Sequence, residues 1–436
     1  MRWLISSTLP RAVTFIVGLG SFSGLVQGAG FVLNETSTAG TAVGFANGAA
    51  LPTDASIMAV NPAGISFLKQ PEWVVGGAII ATNSKLKDES GTNPLGLPVS
   101  GGTGAPFSGT VFVPHAYYAQ SVGDNFSLGL AIYAPFGLET DYNRDFVGRF
   151  LALKSHVQEI NFQPTLSYKI GDNLSLGIGV FVANLEGTLS REAFPGIKSK
   201  VVGDDWKVGA KLGLLWSNEV MSAGVSWTSN VDFKLKGDVK LKGTNILTGD
   251  IDRKARGHLK FKAPQIIDIG VSYNVTPKAT LLLGAEWTQW STFKEIRIIM
   301  DESLITPIGT TLYPGNVADY VPEKWKNVWM YSLGATYKLS NEWLLMGGYT
   351  FDQTPTSDKY RTARIPDGDR NWLTVGARFS PSEKWLIDMA YGYLIPKTNR
   401  VDEVTHELDG TTGHPTFKGK YKMGTNLFMA SVVRHF

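Results

Sequence analysis

Most of this chain alternates apolar and polar residues with a period of two, from about Glu72 to the terminal Phe436. Between Trp206 and Leu214, tryptophan and aliphatic residues fall on one parity, whereas lysines and glycines fall on the other. Successive side chains of a strand point to opposite faces, so such a segment has one apolar and one polar face. A wall with lipid on one side and water on the other needs this pattern, which predicts a closed β-barrel in an outer membrane.

The composition also favours strands as the membrane-crossing elements. The 436 residues are 43% hydrophobic and only 18% charged, but they contain no run of about 18 apolar residues, the length that a membrane-spanning helix needs. Every backbone amide and carbonyl in a bilayer needs a partner within the protein, so a sheet can cross only as a closed barrel. A soluble β-sandwich also alternates and is the alternative fold.

The first 28 residues have the features of a secretory signal. Arg2 and Arg11 precede an apolar stretch, and small residues follow up to Gly28. This pattern predicts a signal peptide over 1–28 and a mature chain from Ala29. Loss of the two arginines lowers the formal net charge from +3 to +1, so the charge does not indicate a nucleic-acid partner. The sequence contains no cysteine, which excludes thiolate catalysis and disulfides.

Residues 72–436 divide into fourteen candidate strands. They lie near 72–83, 111–122, 125–134, 156–170, 173–187, 204–217, 219–233, 259–275, 278–293, 325–339, 341–352, 369–380, 383–395 and 419–436. Six short links of turn-forming residues alternate with seven long connections, near 84–110, 135–155, 188–203, 234–258, 294–324, 353–368 and 396–418. The sequence therefore predicts an all-β, fourteen-stranded antiparallel transmembrane barrel with its short turns and both ends in the periplasm.

Residues 29–71 do not follow the barrel pattern. They are too many for a frayed terminus and too apolar to prefer water. We expect them to fold inside the lumen as an N-terminal hatch, or plug. Gly177 and Gly179, within a predicted strand, are expected to let this hatch or a side chain approach the wall.

Several short motifs, in this order and spacing, resemble the FadL family of outer-membrane transporters of hydrophobic compounds, and the likeness spans the mature chain. The motifs are Ala29 to Glu35, Asn61-Pro62-Ala63, Phe136-Gly137-Leu138, Ala263-Pro264-Gln265, Trp287 to Ser291 and Ile365 to Arg370. The resemblance implies a hatch whose gate contains Asn61, Pro62 and Ala63. It also implies an inward kink in the third strand that opens a lateral hole.

The kink is expected at Ala134, Pro135, Phe136 and Gly137. Pro135 removes a donor from the strand ladder and Gly137 weakens the strand. From spacing alone, Pro135 could equally end the third strand at its loop. The resemblance favours the kink.

Arg191 and Lys326 match the basic positions that meet the ligand headgroup in family members. From the sequence each could equally be a solvated charge near the barrel rim, and the neighbouring Lys324 could take the place of Lys326 under a small shift of the alignment. A guanidinium and an ammonium can together orient a carboxylate while its tail lies on an apolar wall. Ala134 stands where the family pattern has a serine hydroxyl just before the kink. The missing hydrogen bond keeps aromatic or alkane hydrocarbons open as ligands.

We therefore expect passive uptake of hydrophobic compounds, long-chain fatty acids first, by binding, hatch rearrangement and lateral release. The alternatives are hydrocarbon uptake and a surface adhesin or receptor whose barrel is only an anchor. We expect no catalytic residue, no cofactor and no metal, since the six histidines lack ligand spacing. The expected partners are a hydrophobic ligand, outer-membrane lipid, and lipopolysaccharide at the basic segment 234–258; the protein is expected to be a monomer.

Overall fold

The structure is a computed structural model that describes residues 30–104, 109–245, 247 and 249–436. The predicted signal peptide and Ala29 lie outside the described residues. Fourteen antiparallel strands close into one ring, because the first strand pairs with both the second and the last. Its pairing with the last strand begins with Glu72 opposite His435. The predicted barrel with fourteen strands is confirmed.

The ring is numbered here from the first to the fourteenth strand. The first six strands are Glu72–Thr92, Gly109–Val122, Phe126–Asp141, Lys154–Ile170, Leu174–Phe194 and Ile197–Ser217. The next four are each interrupted once: Met221–Thr228 with Val231–Asn245, Gly249–Ala263 with Ile266–Thr276, Ala279–Thr288 with Glu295–Met300, and Val317–Pro322 with Val328–Lys338. The last four are Trp343–Asp352, Arg370–Ser382, Trp385–His406 and Thr412–His435. A small hairpin, Leu304–Ile305 with Thr311–Leu312, lies between the ninth and tenth strands.

The prediction of long loops at 188–203, 234–258 and 396–418 is wrong, because these residues are largely strand. In the second half of the seventh strand the apolar and polar residues still alternate, but here the apolar residues face inward and the polar residues face outward. Phe233, Leu235 and Val239 are buried, whereas Lys236 and Lys240 are exposed. Nearer the short turns, the outward positions are instead apolar, as at Leu212 and Leu214. The strands therefore continue past the lipid-facing band into a region where the outside is charged and the inside is apolar.

The N-terminal segment (residues 30–71) is buried within the ring. It contains an α-helix, Thr38–Ala42, and two 3₁₀ helices, Ala55–Ala59 and Pro62–Phe67. A third 3₁₀ helix, Trp290–Thr292, lies in the break of the ninth strand. No helix among the described residues is long and apolar enough to span a membrane.

Glycines of the wall let the N-terminal segment approach closely. A Cβ atom added to any of nine of them, on nine different strands, would meet an atom of the segment within 3.1 Å; they are Gly129, Gly177, Gly213, Gly224, Gly270, Gly284, Gly334, Gly348 and Gly376. Contacts to strands all around a closed ring place the segment in the barrel interior. Both glycines of the predicted strand allow a close approach, as expected: Gly177 that of the N-terminal segment, and Gly179 that of the Gln163 side chain.

Candidate functional site

The start of the N-terminal segment pairs with the third strand. Val32 forms an antiparallel bridge with Phe136. The Leu33 amide donates to the Pro135 carbonyl at 2.8 Å, and the Gly137 amide donates to the Phe31 carbonyl at 3.0 Å. Residues 31–33 therefore act as a short strand laid against the predicted kink.

The third strand is irregular where the sequence predicts it. Its pairing with the fourth strand shifts between Tyr133 and Phe136, so Ala134 and Pro135 bulge out of register. The strand nevertheless continues to Asp141, so the interpretation that Pro135 ends it is wrong. Its last pair with the second strand is Ile132 opposite Ala116. Beyond this point the second and third strands separate.

Phe31 lies at the centre of an aromatic cluster. Its ring centroid is 4.7 Å from that of Trp290, 5.5 Å from that of Phe261 and 5.7 Å from that of Trp325. Phe136 contacts the same ring at 5.9 Å. Residues from four distant parts of the chain thus hold the N-terminal segment by packing.

Asp367 ties the same end of the segment to the connection before the twelfth strand. It accepts from the Gly30 amide at 3.1 Å and from the Thr354 hydroxyl at 2.6 Å. Its other oxygen pairs with Arg370. Asp367 is buried, so the motif from Ile365 to Arg370 supplies a buried acceptor for the first described residue.

Asn61, Pro62 and Ala63 lie against the fourth to sixth strands. The Asn61 side chain accepts from the Ala63 amide at 3.0 Å, and it donates to the carbonyls of Ala49 and Leu214 at 2.7 and 3.1 Å. The Ala63 carbonyl accepts from Ser175 at 2.9 Å. This motif is therefore fixed to the wall by hydrogen bonds, and a gating role for it stays a prediction.

An apolar cavity of about 70 Å³ lies beside the aromatic cluster. Its lining is mostly aliphatic and aromatic, and includes Phe31, Leu138, Val157, Leu185, Leu235, Phe261, Phe293, Ile296 and Ile365. Few polar side chains line it: those of Ser155, His156, His258 and Arg364. A mostly apolar pocket with few polar groups is the form expected of a site for an amphiphilic ligand.

Arg364 is the buried cation of this cavity. Its side chain is only 2% exposed. It donates over 3.3–3.4 Å to the Ser190 and Lys154 carbonyls, and its nearest carboxylate oxygen, on Asp319, is 3.9 Å away. Burial lowers the pKa of Arg364, and the neighbouring Asp319 opposes that shift. A guanidinium remains charged in proteins, so the cavity wall carries a cation that Asp319 approaches to 3.9 Å and on which Glu403 and Glu323 also act electrostatically.

Arg191 lies next to this cation but does not line the cavity. Its Nε atom is 3.2 Å from the same Asp319 carboxylate, and its side chain is 23% exposed. Asp319 is therefore shared by two arginines. Lys326 is exposed and its backbone amide donates to Pro355. In the part of the chain that the structure describes, Lys326 does not line the cavity and forms no hydrogen bond or ion pair with Arg191, so the two predicted headgroup residues do not form one site.

Arg364 was missed from the sequence, although it directly precedes the Ile365 to Arg370 motif. Its connection has no strand periodicity that would assign its side chain to the interior. Ala134, in contrast, offers no polar group at the kink and packs against apolar residues that include Leu33. In the described residues, no group of three or more His, Cys, Asp or Glu side chains is placed to hold a metal ion.

Comparison with known proteins gives consistent matches over nearly the whole chain. A model of the family described as outer membrane protein transport protein (OMPP1/FadL/TodX) matches residues 20–436. The 47 kDa outer membrane protein of Pasteurella multocida is 28% identical, over 88% of this chain and 91% of that protein. The long-chain fatty acid transport protein of Escherichia coli strain K12 is 22% identical, over 92% and 96%.

Solved structures share the fold. A Pseudomonas aeruginosa FadL homologue superposes with a TM-score of 0.83 at 23% identity, over 94% of this chain and all of that one. The Pseudomonas putida toluene transporter TodX superposes with a TM-score of 0.68 at 14% identity, over 93% and 99%.

Proposed function

The chain belongs to the OMPP1/FadL/TodX family of outer-membrane transport proteins for hydrophobic compounds, and we propose that it takes up long-chain fatty acids passively. In this proposal the ligand binds in the apolar cavity, the N-terminal segment rearranges as a hatch, and the ligand leaves sideways near the kink. The observation that carries the proposal is Arg364, a buried cation in a mostly apolar wall whose nearest carboxylate oxygen is 3.9 Å away. An anionic head and an apolar tail complement such a site.

The carboxylate would join Arg364 rather than Lys326. A carboxylate can accept two parallel bonds from one guanidinium, and the nearest carboxylate oxygen now stands 3.9 Å away. Arg191 would act through Asp319, by drawing that carboxylate away from Arg364. This assignment keeps Arg191 in the site as a positioning residue.

Ligand entry would require part of the lining to move. The cavity of about 70 Å³ is smaller than a cavity of roughly 150 Å³ that accommodates benzene. Phe31 is the lining residue that belongs to the N-terminal segment rather than to the wall. Displacement of Phe31 would enlarge the cavity and disturb the pairing of residues 31–33 with the third strand.

Lateral release is supported by the separation of the second and third strands beyond Ile132 and Ala116. The free edge of the third strand is covered there by residues 31–33. A rearranged N-terminal segment would therefore uncover this edge. The kink residues Ala134 to Gly137 would form the border of the opening.

Hydrocarbon uptake is a second candidate, because Ala134 leaves the kink without a hydroxyl. An adhesin would need neither a filled interior nor an apolar cavity.

Contact of the charged outer face of the seventh and eighth strands with lipopolysaccharide stays a prediction, as does the monomeric state.

Binding of a fatty acid and of its matched hydrocarbon to Arg364→Ala tests the proposal. Loss of a shielded charge-assisted hydrogen bond costs about 1.5–3 kcal/mol, so affinity for the carboxylate should fall roughly tenfold to a hundredfold. Affinity for the alkane should change less than about twofold, since it rests on apolar area. Calorimetry or ligand displacement in mild detergent gives both values.

Arg364→Lys and Lys326→Ala are the matched controls. Arg364→Lys keeps the charge but lacks the planar guanidinium, so its affinity for the carboxylate should lie between those of the wild type and Arg364→Ala. Lys326→Ala should behave as wild type, because Lys326 is exposed outside the cavity. Equal losses for both ligands in Arg364→Ala would mean that Arg364 only supports the wall. Unchanged carboxylate affinity would favour the hydrocarbon alternative.

A further inference from the structure

A second cavity, of about 90 Å³, lies between the N-terminal segment and the wall. It borders the kink, since Tyr133, Pro135 and Phe136 line it. Unlike the apolar cavity, it has many polar and charged lining residues, among them Glu159, Asn161, Lys211, Asp268 and Glu286. A ligand that moves from the apolar cavity toward the kink would meet these groups.

Glu159 and Asn161 belong to the fourth strand and face the irregular part of the third. Glu159 is paired in register with Phe136, and Asn161 with Tyr133. The register shift falls between these two pairs. The two side chains therefore flank the bulge formed by Ala134 and Pro135.

Both side chains are buried with an unsatisfied acceptor. Glu159 is 1% exposed and Asn161 is 2% exposed. Among the residues that the structure describes, Glu159 Oε2 and Asn161 Oδ1 have no hydrogen-bond partner. Buried acceptors without a donor are rare and costly. A donor on a passing ligand would satisfy them.

The remaining charges of the polar cavity do not neutralise Glu159. Asp268 and Glu286 stand directly opposite each other on the eighth and ninth strands. The Lys211 ammonium donates to the Ala59 carbonyl, lies over the Tyr133 ring at 5.8 Å, and interacts electrostatically with Asp268 and Glu286. Among the lining residues, three carboxyl groups thus share one ammonium. An anionic headgroup would therefore meet several carboxyl groups and a single ammonium that is already engaged.

Resting on the proposed uptake function, we propose that Glu159, assisted by Asn161, determines headgroup specificity at the inner face of the kink. It accepts headgroups that donate a hydrogen bond and carry no negative charge, such as an alcohol or a protonated carboxylic acid. It disfavours a carboxylate. Arg364 would then select for the anion at binding, whereas Glu159 would select against it on the way out.

Uptake of dodecanoate and dodecanol into vesicles that contain the full-length protein tests this proposal at about pH 9.5, which is far above the ordinary titration range of carboxyl groups. Glu159→Gln keeps the shape, removes the charge and adds a donor. It should raise the dodecanoate-to-dodecanol rate ratio by about tenfold, since a buried like-charge contact is strongly unfavourable. Glu186→Gln is the matched control: this exposed glutamate lies on the adjacent fifth strand opposite Gln158, and the ratio should not change.

Asn161→Asp provides the opposite change. A second carboxylate beside the kink should lower the dodecanoate-to-dodecanol rate ratio. This variant serves as the test if Glu159→Gln fails to fold. An unchanged ratio in a folded Glu159→Gln or Asn161→Asp variant would overturn the proposal. Failure of the uptake function itself would look different, because wild-type vesicles would then take up neither compound faster than protein-free vesicles.

Discussion

Close contact between the wall glycines and the N-terminal segment gives a sharp test of how this segment is held. Gly347 and Gly348 are neighbours on the eleventh strand with opposite orientations. A Cβ atom on Gly348 would lie 2.5 Å from the Val43 carbonyl oxygen and closer still to two other backbone atoms. A Cβ atom on Gly347 would have its nearest neighbour, the Thr374 carbonyl oxygen, at 3.7 Å.

Gly348→Ala should therefore displace the N-terminal segment, whereas Gly347→Ala should not. Restoring ordinary contact at Gly348 requires the backbone at Val43 and Gly44 to move by about 1 Å, because carbon atoms pack at roughly 3.5–4.0 Å. The Gly44 carbonyl, which accepts from Thr350 at 2.5 Å, would move with it. Overpacking of this kind costs about 1–3 kcal/mol.

Two measurements detect displacement of the N-terminal segment. Thermal unfolding of the purified protein in mild detergent, read from heat-dependent gel mobility, should shift to lower temperature for Gly348→Ala and stay near wild type for Gly347→Ala. Because the chain has no cysteine, Ala46→Cys can be labelled selectively, and its maleimide reactivity should rise only in the Gly348→Ala background. Equal stability and equal labelling of the two alanine variants would refute the tight packing that we infer.

Two further predictions concern the proposed path. Replacement of Pro135 and Gly137 by strand-forming residues should restore pairing of the third strand and reduce uptake while surface display persists; unchanged uptake by the folded double variant would contradict lateral release. A disulfide between cysteines introduced at position 32 and at position 136, which pair as a bridge, should lower uptake under oxidation and restore it on reduction, and equal uptake in both states would show that this end of the segment need not move.

The number and order of the strands could be predicted from the sequence because lipid imposes a period of two on one face. The lengths could not. Beyond the lipid-facing band, Lys236 and Lys240 face outward and Leu235 faces inward. A search for strands with an apolar outer face therefore assigns these charged residues to a loop. The fifth and sixth strands continue in the same way to Phe194 and from Ile197.

Some features of the site could likewise be predicted from local sequence, whereas others depend on the fold. The kink is encoded locally, since proline and glycine interrupt a strand pattern, and the structure shows a shifted register there. Arg364 lies in the connection before the twelfth strand, Asp319 in the tenth strand and Arg191 in the fifth, so their relation depends on three distant parts of the chain coming together. The parity of the fourth strand places Glu159 inward with Asn161, but no sequence pattern shows that their oxygen atoms lack partners among the described residues.

The start and the middle of the N-terminal segment are held by different kinds of interaction. In the middle, Arg378 joins Asp54 to Asp388 at 2.7 and 2.6 Å in a buried network, and removal of one member of such a pair costs about 3–5 kcal/mol. The start is held mainly by the packing of Phe31, by two hydrogen bonds to the third strand and by the bond from the Gly30 amide to Asp367.

A rearrangement confined to residues 30–36 would therefore break far fewer polar contacts than expulsion of the whole segment. Phe31 lines the apolar cavity, and the carbonyl of the same residue accepts from Gly137 at the kink. Ligand binding and opening at the third strand would then be coupled through this one residue, because a ligand that displaces its ring also pulls on its backbone bond to the kink.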